Sequence, residues 1–283
     1  MIYILYTLLG AAIVAIAQTA GKLALRDLHP VKVCAFRFGL GAPVCYLLGV
    51  AQTHNWNPGL TMHQYLIIAL IGVGAWGIGA VIFFWAMKMD SMHRVGTISN
   101  SLSVWVVLIS VLFLGEPFFP AMIPALILLV AGAALLSPQT EGSKRWAPAI
   151  PIGILISVIW ALSIVMTKIA VHGVPYPTFV AIKMAGATLF LMVLYPFTPT
   201  RVTKHGFIYG LISALTLVVG DTLLMAGVDG LPASIFSPLY STTIPFGFLF
   251  SVAIIKEKPV RRNWLGMALI FAAAAICGYY RPK

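Results

Sequence analysis

Five charged residues stand inside long apolar stretches and are the first candidates for chemistry: Lys22, Arg37, Lys168, Lys183 and Asp221. A charge at the centre of a hydrocarbon layer costs roughly 2.5–3.5 kcal/mol on insertion scales, so such a group turns toward a bundle interior or a wet cavity. Lys22, Arg37 and Lys168 are near the ends of their stretches, where a long side chain can instead snorkel to the headgroups. Lys183 and Asp221 lie further in. Asp221 has two readings: an ion-pair partner for Lys183 or Lys168, or a functional group, either a protonatable gate or a substrate contact. One acid facing several bases would leave a cavity net positive and suited to a carboxylate or another anionic group.

Hydroxyls and amides form a second set. One cluster reads Thr97, Ser99, Asn100, Ser101, Ser103 and Trp105, and the other Ser234, Ser237, Tyr240, Ser241, Thr242 and Thr243. At 3.6 residues per turn, Asn100 shares a face with Ser103, and Ser237 shares one with Tyr240 and Ser241. Turned inward they would replace water around a polar solute. Turned toward a neighbouring helix they would hydrogen-bond across it, worth about 0.6 kcal/mol each. Trp76 and Trp160 lie inside apolar stretches and have the size to shape a pocket or simply to pack, while Trp56, Trp146 and Trp264 lie at edges, where interfacial anchoring is expected.

Other chemistries lack their residues. The six histidines are in or beside loops, and neither HExxH nor GxSxG nor a pair of intramembrane carboxylates occurs. Cys34, Cys45 and Cys277 are odd in number, without a CxxC, so neither a disulfide framework nor a thiolate metal site is indicated. Gly72 to Gly77 spell GxGxxG, but no strand precedes them. The sequence points to no enzyme, metal or cofactor.

The elements that must position these groups are membrane helices. Of 283 residues, 60% are hydrophobic and 9% charged, against about 25% charged in soluble domains. Apolar stretches punctuated by Pro, Gly and Asn predict ten spans, at 1–25, 31–52, 64–87, 95–114, 119–137, 148–171, 177–197, 205–228, 233–255 and 263–280. These runs do not alternate as barrel strands would. The net charge of +11 reflects loop Lys and Arg rather than nucleic-acid binding. Twelve of them follow odd-numbered spans, none follows spans two, four, six or eight, and Arg281 and Lys283 lie in the tail. By the positive-inside rule this puts both termini outside. No cleavable signal precedes the first span.

The chain also repeats. Lys22, Pro30 and Arg37 are matched by Lys168, Pro177 and Lys183 at offsets of 146, 147 and 146, and Glu116 by Glu257 at 141. Asp90 is matched by Asp229 at 139. Five spans per copy make the second copy enter from the opposite face, which predicts an all-α, polytopic fold of two inverted five-helix repeats, residues 1–137 and 148–283, joined by 138–147.

A Lys ending the first span, Pro and then Arg opening the second, and an apolar fourth span ending in Gly115-Glu116 resemble an EamA-type unit. Two copies resemble the ten-helix members of the drug/metabolite transporter superfamily. Pro245, twelve residues before Glu257, fits this pattern, whereas Val104 stands at the matching place before Glu116. The resemblance implies cytoplasmic termini, opposite to the charge count. It also implies export of an amino acid or related organic compound by alternating access. A flippase for lipid or a lipid-linked solute shares the architecture and is the alternative, with an intramembrane enzyme behind it. Asn100, Ser103, Trp76, Trp160, Lys183, Ser237, Tyr240 and Ser241 are the candidate substrate contacts, with Asp221 and Lys168 for coupling or gating. The expected partners are a small metabolite, the bilayer of a prokaryotic cytoplasmic membrane and, because Asp221 is titratable, protons; monomer and homodimer both remain open. Glu116 and Glu257 are expected to cap helix ends.

Overall fold

The structure, a computed structural model, describes residues 1–89, 99, 101–136, 146–198, 202–256 and 260–279. All regular structure among them is helical. Among the described residues eight helices are long and apolar enough to cross a membrane, and the shorter Leu102–Phe113 and Met122–Leu136 supply the fourth and fifth spans. Outward positions such as Leu70, Leu112, Leu189 and Val193 are largely exposed. In water that would be a severe liability, and in hydrocarbon it is the matching surface.

Local sequence explains where the spans begin and bend. The second, Pro30–Thr53, opens with proline at a first-turn position that needs no N–H. His29 caps it by accepting from Val31 N. Burial, together with Lys88 and Lys32, holds the His29 imidazole below its ordinary pKa, which favours the neutral acceptor form needed for this cap. The third span starts at a Thr61–Gln64 capping box and runs through Met62–Gly72, a π-helical segment Val73–Gly79 and Ala80–Met89. The ninth is broken into Ala233–Tyr240 and Thr243–Phe250. Pro245 has no N–H for the Ser241 carbonyl, which instead accepts from Ile244 N at 3.0 Å in a tighter turn.

Equivalent helices of the two halves run antiparallel, which is the geometric signature of inversion. Between the second span and the seventh, Tyr176–Leu194, Gly41 meets Met184 and Gly49 meets Thr178, so numbering rises in one as it falls in the other. The fifth span and the tenth, Arg261–Tyr279, behave alike: Gly132 packs on Gly266 and Ile270, while Ala125 and Leu129 cluster with Cys277 and Ala273. The first span, Ile2–Ala24, crosses between halves to pack along the eighth, Lys204–Gly230, through Gly10–Gly220, Thr7–Gly227 and Tyr3–Gly230. Small residues at these crossings allow the close backbone approach on which helix association in lipid depends.

The ends of the repeats are tied in the same way. Lys22 donates to the Met87 carbonyl near the end of the third span. Its repeat mate Lys168, near the end of the sixth span Trp146–Ala170, donates to the carbonyls of Asp229 and Leu231 at 2.8 and 2.9 Å, where the eighth span ends. A cation on a helix C-terminus satisfies carbonyls that have no intrahelical partner. Gly230 packs on Tyr3, so the two lysines sit at opposite ends of the first span.

Candidate functional site

Three of the five charged candidates, Arg37, Lys183 and Asp221, converge on one cavity. Asp221 from the eighth span and Lys183 from the seventh are both buried, with Lys183 Nζ 3.1 Å from Asp221 Oδ2. The contact is an ion pair without a directed hydrogen bond to Oδ2. Lys183 Nζ also stands 3.9 Å from the centre of the Trp76 indole, a cation–π arrangement. Of the two partners open to Asp221 in the sequence, Lys183 is the one it meets. Lys168 is engaged at the helix end described above and does not line the central cavity.

That cavity has a volume of about 100 Å³, room for several waters or part of a small organic solute. Both repeats wall it. Gln18, Arg37 and Trp76 come from the first, and Trp160, Lys183, Asp221 and Tyr240 from the second. Phe38, Phe83, Phe84 and Phe236 make its rim aromatic. The π-helical segment matters here. An extra residue in the turn re-aims side chains and opens backbone groups, and here it presents Ala75 and Trp76 to the cavity while Trp160 Nε1 donates to the Ala75 carbonyl at 2.9 Å. The glycines of this stretch serve close packing: Gly72 abuts the Lys183 backbone, Gly77 the Phe190 ring and Gly79 the Trp160 indole. Trp76 also stacks on Phe38, centroids 5.1 Å apart and planes 3° from parallel. Trp76 and Trp160 thus both shape the cavity wall, by packing against other residues that line it.

The serines are placed elsewhere. Ser103 Oγ donates to the Ser237 carbonyl at 2.9 Å and lies 2.7 Å from Ser241 Oγ, and all three residues are fully buried. They form a hydrogen-bonded knot between the fourth span and the break in the ninth, off the cavity wall. Of the two readings of the hydroxyl clusters, interhelical bonding describes Ser103 and Ser241, whereas Ser237 takes part through its carbonyl and its own hydroxyl is buried without a partner. The Ser241 carbonyl released by Pro245 is likewise bonded within the protein, and only the Tyr240 and Phe236 side chains of this span reach the cavity. Asn100, Asp90 and Glu257 lie outside the described residues. Glu116 caps a helix, but across the repeats: its carboxylate accepts from Ala233 N at 2.7 Å, and from Ser234 N and Oγ at 2.9 and 2.7 Å, at the start of the ninth span.

Arg37 departs from the snorkelling expectation. It is 5% exposed, lines the cavity and lies over the Phe84 ring at 5.4 Å. Second-span numbering alone puts it two turns in from Pro30, close enough to an end to mislead. The available signal was its equivalence to Lys183 at the same offset as the Lys22–Lys168 pair. Gln18, Ser163 and Thr167 are further wall residues that single polar positions in apolar spans did not single out.

Comparison with known proteins decides the family. Residues 1–137 and 147–279 each match the EamA-like transporter family. The chain belongs to that family. It is a multi-pass membrane transporter of the drug/metabolite type, built from two EamA units. An uncharacterised protein of Methanocaldococcus jannaschii is 27% identical over 123 residues, which is 43% of this chain and 90% of that protein. A solved crystal structure is similar at a TM-score of 0.78, with 18% identity over 96% of this chain and 95% of that one, a likeness that shows a common fold.

Proposed function

We propose that this EamA transporter is a secondary carrier that moves a small polar or amphipathic metabolite, an amino acid or related organic compound, out through the cytoplasmic membrane by alternating access. The observation that carries this reading is the central cavity: both inverted repeats wall it, and it holds a buried Lys183–Asp221 pair. Inverted repeats around a midplane site are how many carriers reach two openings by rocking one half against the other. Trp76, Trp160, Lys183 and Tyr240 are the proposed solute contacts. Asp221 is the proposed coupling group, since proton binding there would release Lys183. Ser103, Ser237 and Ser241 would brace the broken ninth span beside the site.

Reconstitution into proteoliposomes tests this. A carrier gives saturable uptake of labelled amino acids or related compounds, accelerated by unlabelled solute on the far side and by an imposed proton gradient. Unsaturable flux without countertransport would indicate a channel, and movement of labelled lipid without solute flux a flippase. Either result rejects the proposal.

A further inference from the structure

The two repeats place matching cations at the cavity and give only one of them a counter-ion. Arg37 and Lys183 are repeat equivalents, both buried, and both line the same space. Lys183 has Asp221. Among the described residues no carboxylate is paired with Arg37, and its Nε is buried with no hydrogen-bond partner. Arg37 lies over the faces of Phe84 and Phe38, at 5.4 and 6.0 Å, and Asp221 and Tyr240 act on it across the cavity without ion-pair contact.

The cause is visible in the third span. The third and eighth spans are equivalent, with Met62 against Lys204 and Met89 against Gly230, offsets of 142 and 141. The Asp90–Asp229 match just beyond them has an offset of 139. The positions equivalent to Asp221 are therefore Gly79 to Ile82, and none is acidic. Gly79 takes the edge of Trp160, and Ala80 lines the cavity. One half supplies an acid for its cation. The other half has only uncharged, apolar residues where that acid would stand.

A buried guanidinium without an anion is costly, and its planar fork matches a carboxylate. We propose that Arg37 is the anion-binding residue of the cavity and that the solute is an organic monocarboxylate with an apolar or aromatic body. This rests on the carrier reading of the same cavity. The single uncompensated cation sets the charge at one, which disfavours a phosphate dianion. The rings of Phe38, Phe83, Phe84, Trp76 and Trp160 favour an apolar body over a sugar.

The test uses the purified full-length protein and three probes of one size class: phenylacetate, phenylacetamide and phenyl phosphate. Calorimetric titration should give at least about tenfold tighter binding of phenylacetate than of phenylacetamide, the order of one charge-assisted hydrogen bond, with phenyl phosphate weaker than phenylacetate. Arg37→Gln should level the first two, and Arg37→Lys should keep part of the preference. Ala80→Asp, which gives the cavity a second acid while leaving Arg37 in place, should remove the preference as well; it serves as the check should Arg37→Gln fold poorly. Equal binding of acid and amide by the natural protein, preference for the phosphate, no binding of any probe, or a preference that survives Arg37→Gln would each overturn the proposal. Flux separates the two readings. Saturable transport of neutral solutes alone would reject the monocarboxylate and leave the carrier. Carboxylate binding with no flux of any carboxylate would do the reverse.

Discussion

Two buried polar clusters lie close together in this molecule and are built on opposite principles. In the knot of Ser103, Ser237 and Ser241, the Ser103 and Ser241 hydroxyls meet each other and the Ser237 carbonyl, all three residues are neutral, and the cluster is closed off from the cavity. In the cavity cluster of Arg37, Lys183 and Asp221, full charges stand against aromatic faces and open space, and one remains without a counter-ion. The first ties helices together. The second holds charge beside open space. Polarity inside a span is therefore a poor guide to function until one knows whether it is charged and whether it faces a cavity.

Breaking one partner of the charged cluster should show the largest effect. Lys183→Met leaves the Asp221 carboxylate buried without its ion-pair partner, and a thermal or denaturant unfolding measurement should show a loss of about 3–5 kcal/mol. Adding Asp221→Leu should restore most of that stability without restoring transport. Stability that stays low in the double variant would mean that the pair is mainly a structural strut.

A smaller loss is expected where charge is used for architecture. Glu116→Ala removes the carboxylate from the start of the ninth span and should cost about 1–2 kcal/mol, in the upper range for a helix cap. Glu116→Gln should cost less, since the amide oxygen can still accept. Solute affinity, measured by titration at a temperature where the variant is folded, should stay within about twofold, because a change below about 0.4 kcal/mol is all that a distant cap transmits.

The smallest effect belongs to the knot. Ser103→Ala should lower stability by about 0.6 kcal/mol, the average for an interhelical bond in a membrane bundle, and should leave the ratio of carboxylate to amide affinity unchanged. A change in that ratio would place the knot inside the site and dissolve the contrast between the two clusters.

The sequence made the scaffold readable because its signals are chemical and local. Spans follow from apolar length, and inversion follows from an odd number of spans per copy together with the Lys22–Lys168 and Arg37–Lys183 matches. Lys183 and Asp221 could be named for the same reason, as charges too deep in their spans to reach water. Arg37 was named as well but stood open between cavity and headgroups, because depth along one helix does not reveal what other helices bring over it, here Phe84 of the third span. The serines at 103, 237 and 241 were ambiguous for a related reason. Helical spacing shows which side chains share a face and leaves open what that face meets.

Gly72 has neither charge nor side chain, yet it governs where a charge stands. Its α-carbon lies against the main chain of Lys183, in a space that the methyl group of alanine would overrun. The missing carbon lets the seventh span settle at a depth from which its ammonium reaches both an indole and a carboxylate. The reach of a binding group is thus set from behind, by a hydrogen atom on another helix, and selectivity in such a pocket can drift through substitutions that no solute ever touches.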